Sequence, residues 1–349
     1  MTPKPSTATV TETESEAVNI QDLIKDQYLI QDFEVSNKLQ EEAESEKFIP
    51  KWVPRNIGIF VALHFGALIG LYMLIFSTKW QTYLWTIAVW FWSSLGIGAG
   101  AHRLWAHKSY KARWPLETFL MLGFTMAFQN DVIEWCRDHR CHHKWTDTDA
   151  DPHNTHRGFF FSHMGWLLQR KHPKLKEMGA KLDISDLEKN PILAFQRKFY
   201  LPLVAIMCFL IPTIIPVFFW GESAAVSFYT AGVFRYCILL HFTWMINSVC
   251  HFFGYKPYDA RITPVDSTWT SLVALGEGGH NYHHTFPQDY RTSEMPVMLN
   301  ITKPIIEFWA SIGLAYDLKS VADEVIKRQK DKYGDKKVAS AVKGDLKLS

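Results

Sequence analysis

Cysteine is scarce and unpatterned in this sequence. Five occur in 349 residues, at 136, 141, 208, 237 and 250, odd in number and without a C-x-x-C pair. A disulfide framework does not fit that pattern, and a reduced, cytosol-facing compartment fits it better. Charge of one sign is lacking too. The net charge is +2, with no basic cluster on any stretch, so no field argues for nucleic acid as a partner. No N-terminal signal peptide is visible. Residues 1–54 carry eleven acids and five lysines, and residues 1–50 read as a flexible acidic segment.

What the chain has in quantity is apolar surface. Apolar residues make up 48 % and aromatics 15 %, yet the mean hydropathy is only −0.08, so very apolar blocks must alternate with polar ones. Four charge-poor runs are long enough to cross a bilayer, which takes about 20 residues. They are Ile57 to Ser77, Thr82 to Ala101, Phe199 to Trp220, and Ala224 to Cys250 with its span at 224–246. They form two hairpins with tight turns at Thr78–Gln81 and Gly221–Ser223. Residues 102–198 hold 16 Lys and Arg and residues 251–349 hold 13, against one, Lys79, in the two turns. The positive-inside rule puts both termini and the central loop in the cytoplasm. The expectation is an all-α membrane protein of four transmembrane helices. A fifth apolar stretch, Pro115–Asn130, is too short to span and contains Glu117, so it reads as a buried or interfacial helix. Arg235, inside the fourth run, is costly in lipid and is expected to face the bundle interior.

The fifteen histidines are not scattered evenly. His102 and His107 form H-R-L-W-A-H at the end of the second run. His139, His142 and His143 form H-R-C-H-H in the central loop. His280, His283 and His284 form H-N-Y-H-H after the fourth run. On a helix, positions i, i+3 and i+4 share a face, so each H-x-x-H-H can aim three imidazoles one way. His102 and His107, five apart, converge only if their helix frays or bends. His251 ends the fourth run, with Asn247 one turn before it. All these groups are predicted at the same end of the bundle. Nine histidines and an amide exceed what one metal takes and suit two. Imidazole suits zinc, copper, iron or nickel. There is no H-E-x-x-H, and a structural zinc site would favour cysteine. The set argues for a redox pair handling dioxygen, and spacing alone leaves the element open. Asp147, Asp149 and Asp151 lack the glycine and distal glutamate of a calcium loop, so they read as loop residues or partners of histidines. Cys136 and Cys141 are not expected to be ligands. His153, His156, His163 and His172 read as solvated or structural.

The motifs H-R-L-W-A-H, E-W-C-R-D-H-R-C-H-H-K-W and G-E-G-G-H-N-Y-H-H-T-F-P resemble the three histidine boxes of the membrane acyl-CoA desaturases of the stearoyl-CoA desaturase type. The likeness extends to N-S-V-C-H-F-F-G and A-D-P-H-N and covers roughly residues 50–315. It implies an enzyme of the endoplasmic-reticulum membrane with a cytoplasmic helical cap over the four spans. That cap holds two irons. One would take His102, His107, His139, His143 and His283. The other would take His142, His251, His280 and His284, with Asn247 acting through a water. The reaction desaturates a fatty acyl-CoA with dioxygen and two electrons from cytochrome b5 and its NADH-dependent reductase. This sequence has no H-P-G-G haem motif, which fits a separate donor. The family's acyl-CoA contacts fall on Asn56, Asn130, Arg137, Asp138, Arg170, Lys171 and Trp244. Phosphates on the CoA head group suit such basic and amide partners. Trp90, Phe91 and Trp92 could line an apolar tunnel. The catalytic body is expected at 51–318 and a charged tail at 319–349. Gly279 stands where a bulkier residue is common, and it, Cys136 and Cys141 could alter the position oxidised. The box details and T-D-T-D-A-D-P-H-N resemble the insect branch most. Two other readings stay open: a di-iron hydroxylase on the same scaffold, and a bis-histidine haem protein, for which only His64 and His241 lie within spans.

Overall fold

A computed structural model describes residues 30–45 and 48–335. Four of its helices are long and apolar enough to cross a membrane: Pro54–Phe76, Trp80–Ala106, Tyr200–Trp220 and Ala224–Phe252. Each begins within three residues of its expected start. The second extends to Ala106, five residues past its apolar run, because its last three turns are sheltered by other protein rather than by lipid. All eleven residues of Gly96–Ala106 are buried.

The first span has a lipid-facing exterior and one buried stripe of small residues, Gly66, Ala67 and Gly70. Small side chains let helix backbones approach closely where no hydrophobic force drives them together. The partner here is the stretch Phe228–Phe234 of the fourth span. Arg235 does face the interior. It is fully buried, and its guanidinium donates to the carbonyls of Ala231, Met126 and Cys208 and to Ser93 Oγ. Those oxygens replace water for a cation that lipid would penalise. At the opposite end from the histidines, Glu222 ties the two hairpin turns together by accepting from Lys79 N and Thr82 Oγ1.

The fifth apolar stretch is a helix, Trp114–Ala127, lying against the second span with Leu116, Leu120 and Phe124 buried. Trp90 and Phe91 pack against the same core. Trp92 instead stacks on Phe119, and its indole donates to the Phe119 carbonyl. Short helices from 132 to 198 and from 268 to 311 build the cap, and a two-stranded ribbon pairs Lys111–Ala112 with Ala315–Tyr316.

Two helices lie outside the expected body of 51–318. Residues 33–45 form the first. Leu39 is buried against Cys141, Trp145 and Leu175, and Lys174 pairs with Glu42. Residues 323–333 form another, whose Ile326 seats on Tyr258, Tyr282 and Phe286. In both cases a few apolar side chains at helical spacing find a groove on the cap, which overall charge conceals. The rest of the acidic segment, 1–29 and 46–47, and residues 336–349 lie outside the described residues.

Candidate metal centre

The first histidine pair is brought together by an unusual winding. Gly96–Ala106 runs as a π-helix, and His107 N donates to His102 O at 3.1 Å, an i→i+5 bond. In that wider turn residues five apart stack one above the other, and π-turns recur at functional sites. No fraying is needed. The two rings lie 4.8 Å apart.

The second cluster sits on a regular helix, Val132–Lys144, whose first turn is capped by Asp131 accepting from Glu134 N. Normal α spacing then aims His139 and His143 in one direction, with His142 beside them. The third cluster rides on His280–Thr285. Asp266 Oδ1 accepts the backbone N–H groups of Asn281 and Tyr282 there, fixing this short helix at its start. Asn281, fully buried, stitches it to the 258–264 loop through Tyr258 N, Asp259 N and the carbonyls of Asp259 and Pro264.

The rings converge in two groups. His102, His107, His139, His143 and His283 have ligand atoms all within 4.8 Å of one another, and so do His142, His251, His280 and His284. Within the first, Nε2 atoms face each other at 2.8 Å for His102 and His283, 2.7 Å for His107 and His139, and 2.9 Å for His143 and His283. In the second, His251 and His280 meet at 3.2 Å. The outer nitrogens of three rings are held by carboxylates. His142 Nδ1 bonds Asp151 at 2.8 Å, His251 Nδ1 bonds Asp147 at 3.1 Å, and His102 Nδ1 lies 2.6 Å from Glu277. A carboxylate behind a ligating histidine orients the ring and makes it a better donor.

Burial holds His107, His139, His143, His280, His283 and His284 well below the ordinary imidazole range, and their neighbours' like charge adds to it. Where the outer nitrogen faces a carboxylate, as in His102, His142 and His251, it carries the hydrogen and the inner nitrogen presents a lone pair to a cation. The donor set therefore fits two metal ions held by nitrogen. Burial alone would push Glu277 up. The Arg103 guanidinium and His102 outweigh it and hold the carboxyl at about 2. Asp147 is likewise driven far down, despite its burial, by His251 and by hydrogen bonds from Thr263 and Thr155.

Glu277 is the functional residue that sequence reasoning missed. Its signal was a lone acid in G-E-G-G-H just before a histidine cluster. Gly98 makes room for it, since a Cβ there would lie 2.8 Å from Glu277 Oε1. Asp147 and Asp151 act as the histidine partners anticipated, whereas Asp149 lies nearer His172, at 3.6 Å. His153 sits beside Asp151, His172 caps Pro173–Gly179, and His156 is exposed. Asn247 is half-buried one turn before His251.

Arg137 and Lys171 both pair with Asp138, and both approach Glu134. Burial alone would raise Glu134, and the Lys171 charge and hydrogen bond outweigh it. Arg170 and Asn130 are exposed. Asn56 Nδ2 donates to Leu167 O, next to that basic stretch. Trp244 is buried, its ring 5.6 Å from Phe60. Cys141 points away from the histidines, towards the backbone of Gly179, and Cys136 Sγ reaches the Ala101 carbonyl at 3.2 Å. No void opens at Gly279: a Cβ there would lie 2.4 Å from Ser293 Cβ. His64 and His241 do meet, Nε2 to Nε2, but at 3.0 Å. Axial ligands of a haem iron stand roughly 4 Å apart, given metal–nitrogen bonds of about 2 Å, and the surrounding rings leave no room for a macrocycle.

A model of the family described as "Fatty acid desaturase" matches residues 78–307. The chain is 60 % identical over 308 residues to "Delta(9)-fatty-acid desaturase fat-6" of Caenorhabditis elegans, covering 88 % of this chain and 91 % of that one. It is 52 % identical over 285 residues to "Stearoyl-CoA desaturase" of Homo sapiens, covering 82 % and 79 %. "Acyl-CoA Delta-9 desaturase" of Acheta domesticus is 51 % identical over 282 residues, covering 80 % and 79 %. The affinity to the insect branch is not what these identities favour, since a nematode relative stands well above the cricket one.

Proposed function

From the premise that this chain belongs to the fatty acid desaturase family, we propose that its nine clustered histidines hold two iron ions and place the delta-9 bond of an acyl-CoA against them. The enzyme is a delta-9 fatty acyl-CoA desaturase. The observation that carries the metal reading is the convergence of five and four buried imidazoles into two adjoining groups. One iron takes His102, His107, His139, His143 and His283. The other would be held by His142, His251, His280 and His284, with Asn247 placed to act through a water.

The overall change is removal of one hydrogen from each of two neighbouring methylenes. With dioxygen, two electrons and two protons it yields an alkene and two waters. Bound iron supplies the oxidant that side chains lack. The chain's own work is placement. Asp147, Asp151 and Glu277 fix ring orientation from behind. Trp135 stacks on His139, with ring centroids 5.0 Å apart, and locks that imidazole. Such support matters because misplacement of a reacting carbon by about 1 Å costs on the order of a hundredfold.

The head group is held by Arg170, Lys171 and Arg137, with Asp138 spacing the two paired cations and Asn56 and Asn130 offering amides. Trp244 bounds the acyl chain. Substituting Arg170 by alanine is expected to raise the KM for stearoyl-CoA about tenfold with kcat preserved, since a charged hydrogen bond contributes about 1.5–3 kcal/mol. Steady-state kinetics on purified enzyme read this, and an unchanged KM removes Arg170 from the site. Electrons come from cytochrome b5 and its NADH-dependent reductase, and the membrane is that of the endoplasmic reticulum, with both termini and the cap in the cytoplasm.

Expression in yeast lacking its own desaturase tests the function. Mass spectrometry of derivatised fatty acids should find a new double bond at carbon 9. A hydroxy acid in its place would assign the hydroxylase reaction instead.

A further inference from the structure

A second histidine cluster lies apart from the first, inside the membrane-spanning bundle. His64 belongs to the first span, and Cys237 and His241 to the fourth. Cys237 and His241 are four apart and so share one helix face. A ring nitrogen of His64, one of His241 and Cys237 Sγ all lie within 4.8 Å of one another, and the two Nε2 atoms face each other at 3.0 Å. Cys237 is only 5 % exposed.

The outer nitrogens are all spoken for. His64 Nδ1 bonds the Phe60 carbonyl at 2.6 Å. A carbonyl only accepts, so this nitrogen carries the hydrogen and His64 Nε2 is a bare lone pair. His241 Nδ1 bonds His163 Nε2 at 3.0 Å, and His163 Nδ1 bonds Ser248 Oγ at 2.9 Å. Outer nitrogens tied and inner ones converging is the arrangement of metal-ligating histidine. It is also the arrangement of the His251–Asp147 and His142–Asp151 pairs in the centre described above. Ionisable groups in a span are costly, face the protein interior and mark function. A simple packing role explains neither three of them nor a thiol aimed at the same point.

We propose that His64 Nε2, His241 Nε2 and Cys237 Sγ bind a third metal ion, a borderline-soft d10 cation such as zinc, separate from the nine-histidine centre. Two imidazoles and a thiolate reject hard cations such as magnesium and calcium. Zinc takes such a set with bonds of about 2.0–2.3 Å and tetrahedral angles, which leaves a fourth position open. That geometry needs the facing nitrogens to part by only a few tenths of an ångström. Binding exchanges the thiol proton for the metal, releasing one proton and transferring no electrons. The ion would pin the first span to the fourth one helical turn from Trp244, whose ring lies 5.1 Å from His241.

The alternative occupant is hydrogen alone. In the structure the Ser248 hydroxyl donates to the Trp244 carbonyl at 2.9 Å; with its hydrogen turned to His163 instead, His163 would donate to His241 and His241 to His64, a neutral chain that needs no metal.

The test uses the full-length enzyme purified in detergent from zinc-supplemented cells, beside Cys237→Ser and His241→Asn. Elemental analysis should find about one zinc per chain in the wild type, lost in both variants while iron per chain stays the same. Cobalt loading should give a thiolate-to-cobalt charge-transfer band that Cys237→Ser lacks. The near-isosteric serine keeps the fold, and its desaturase turnover persists. Zinc retained in both variants, or wild-type enzyme with neither zinc nor the cobalt band, overturns the proposal and assigns the hydrogen-bonded chain.

Discussion

Replacing His143 by alanine abolishes desaturation and leaves the protein folded in the membrane. His143 stands where the two groups meet. Its Nε2 is 2.9 Å from His283 Nε2, and its ring stacks on His284 with centroids 4.0 Å apart. Alanine is the best helix former, so Val132–Lys144 survives the change. What is lost is a nitrogen that no neighbour can replace. Changing a residue that merely supports a ligand costs about 10–100-fold in metal affinity or activity. Loss of the ligand should exceed that, taking turnover below detection and iron content below the wild-type value. Turnover and iron per chain on purified enzyme, with circular dichroism as the folding control, decide it. Wild-type turnover in this variant would remove His143 from the ligand set.

Glu277→Gln gives the second large effect. The carboxylate serves two masters, with Oε2 2.6 Å from His102 Nδ1 and Oε1 2.7 Å from Arg103 Nη2. Arg103 is fully buried, and its other partners are the Tyr290 and Arg291 carbonyls and Asn300 Oδ1, all uncharged. Removing one partner of a buried ion pair costs about 3–5 kcal/mol, because the remaining charge has no counterion. Glutamine keeps the shape and one acceptor but not the charge. The expected result is a lower unfolding temperature together with a 10–100-fold fall in iron affinity or turnover. A merely structural role would move the unfolding temperature and leave iron affinity alone, so iron competition with a chelator separates the two. Unchanged affinity would sink the idea that Glu277 orients His102.

Much of this was readable in the sequence, and the reasons differ from place to place. The four spans were legible because lipid imposes length and composition directly. The three boxes were legible because local spacing is itself geometry on a helix, as at His139, His142 and His143. Glu277 was not, because its two partners lie 174 and 175 residues away and only the fold brings them near. The helices at 33–45 and 323–333 were hidden by their charge. Each is anchored by one or two buried residues, Leu39 or Ile326, too few to set a visible period. His64 and His241 were legible as the two histidines within spans, but their meeting was not, because 177 residues separate them and only the packing of the first span on the fourth brings them together.

The π-turn at Gly96–Ala106 carries one more consequence. A wide turn holds one residue more than an α turn of the same height, so the stretch behaves like a vernier. Remove one residue ahead of His102, within 96–101, and the helix can rewind into the ordinary α pitch. His107, still five residues on, would then stand about 140° round the helix from His102. The five-residue separation of the first box is thus a phase setting, and the surplus residue in the winding is what keeps two imidazoles in step.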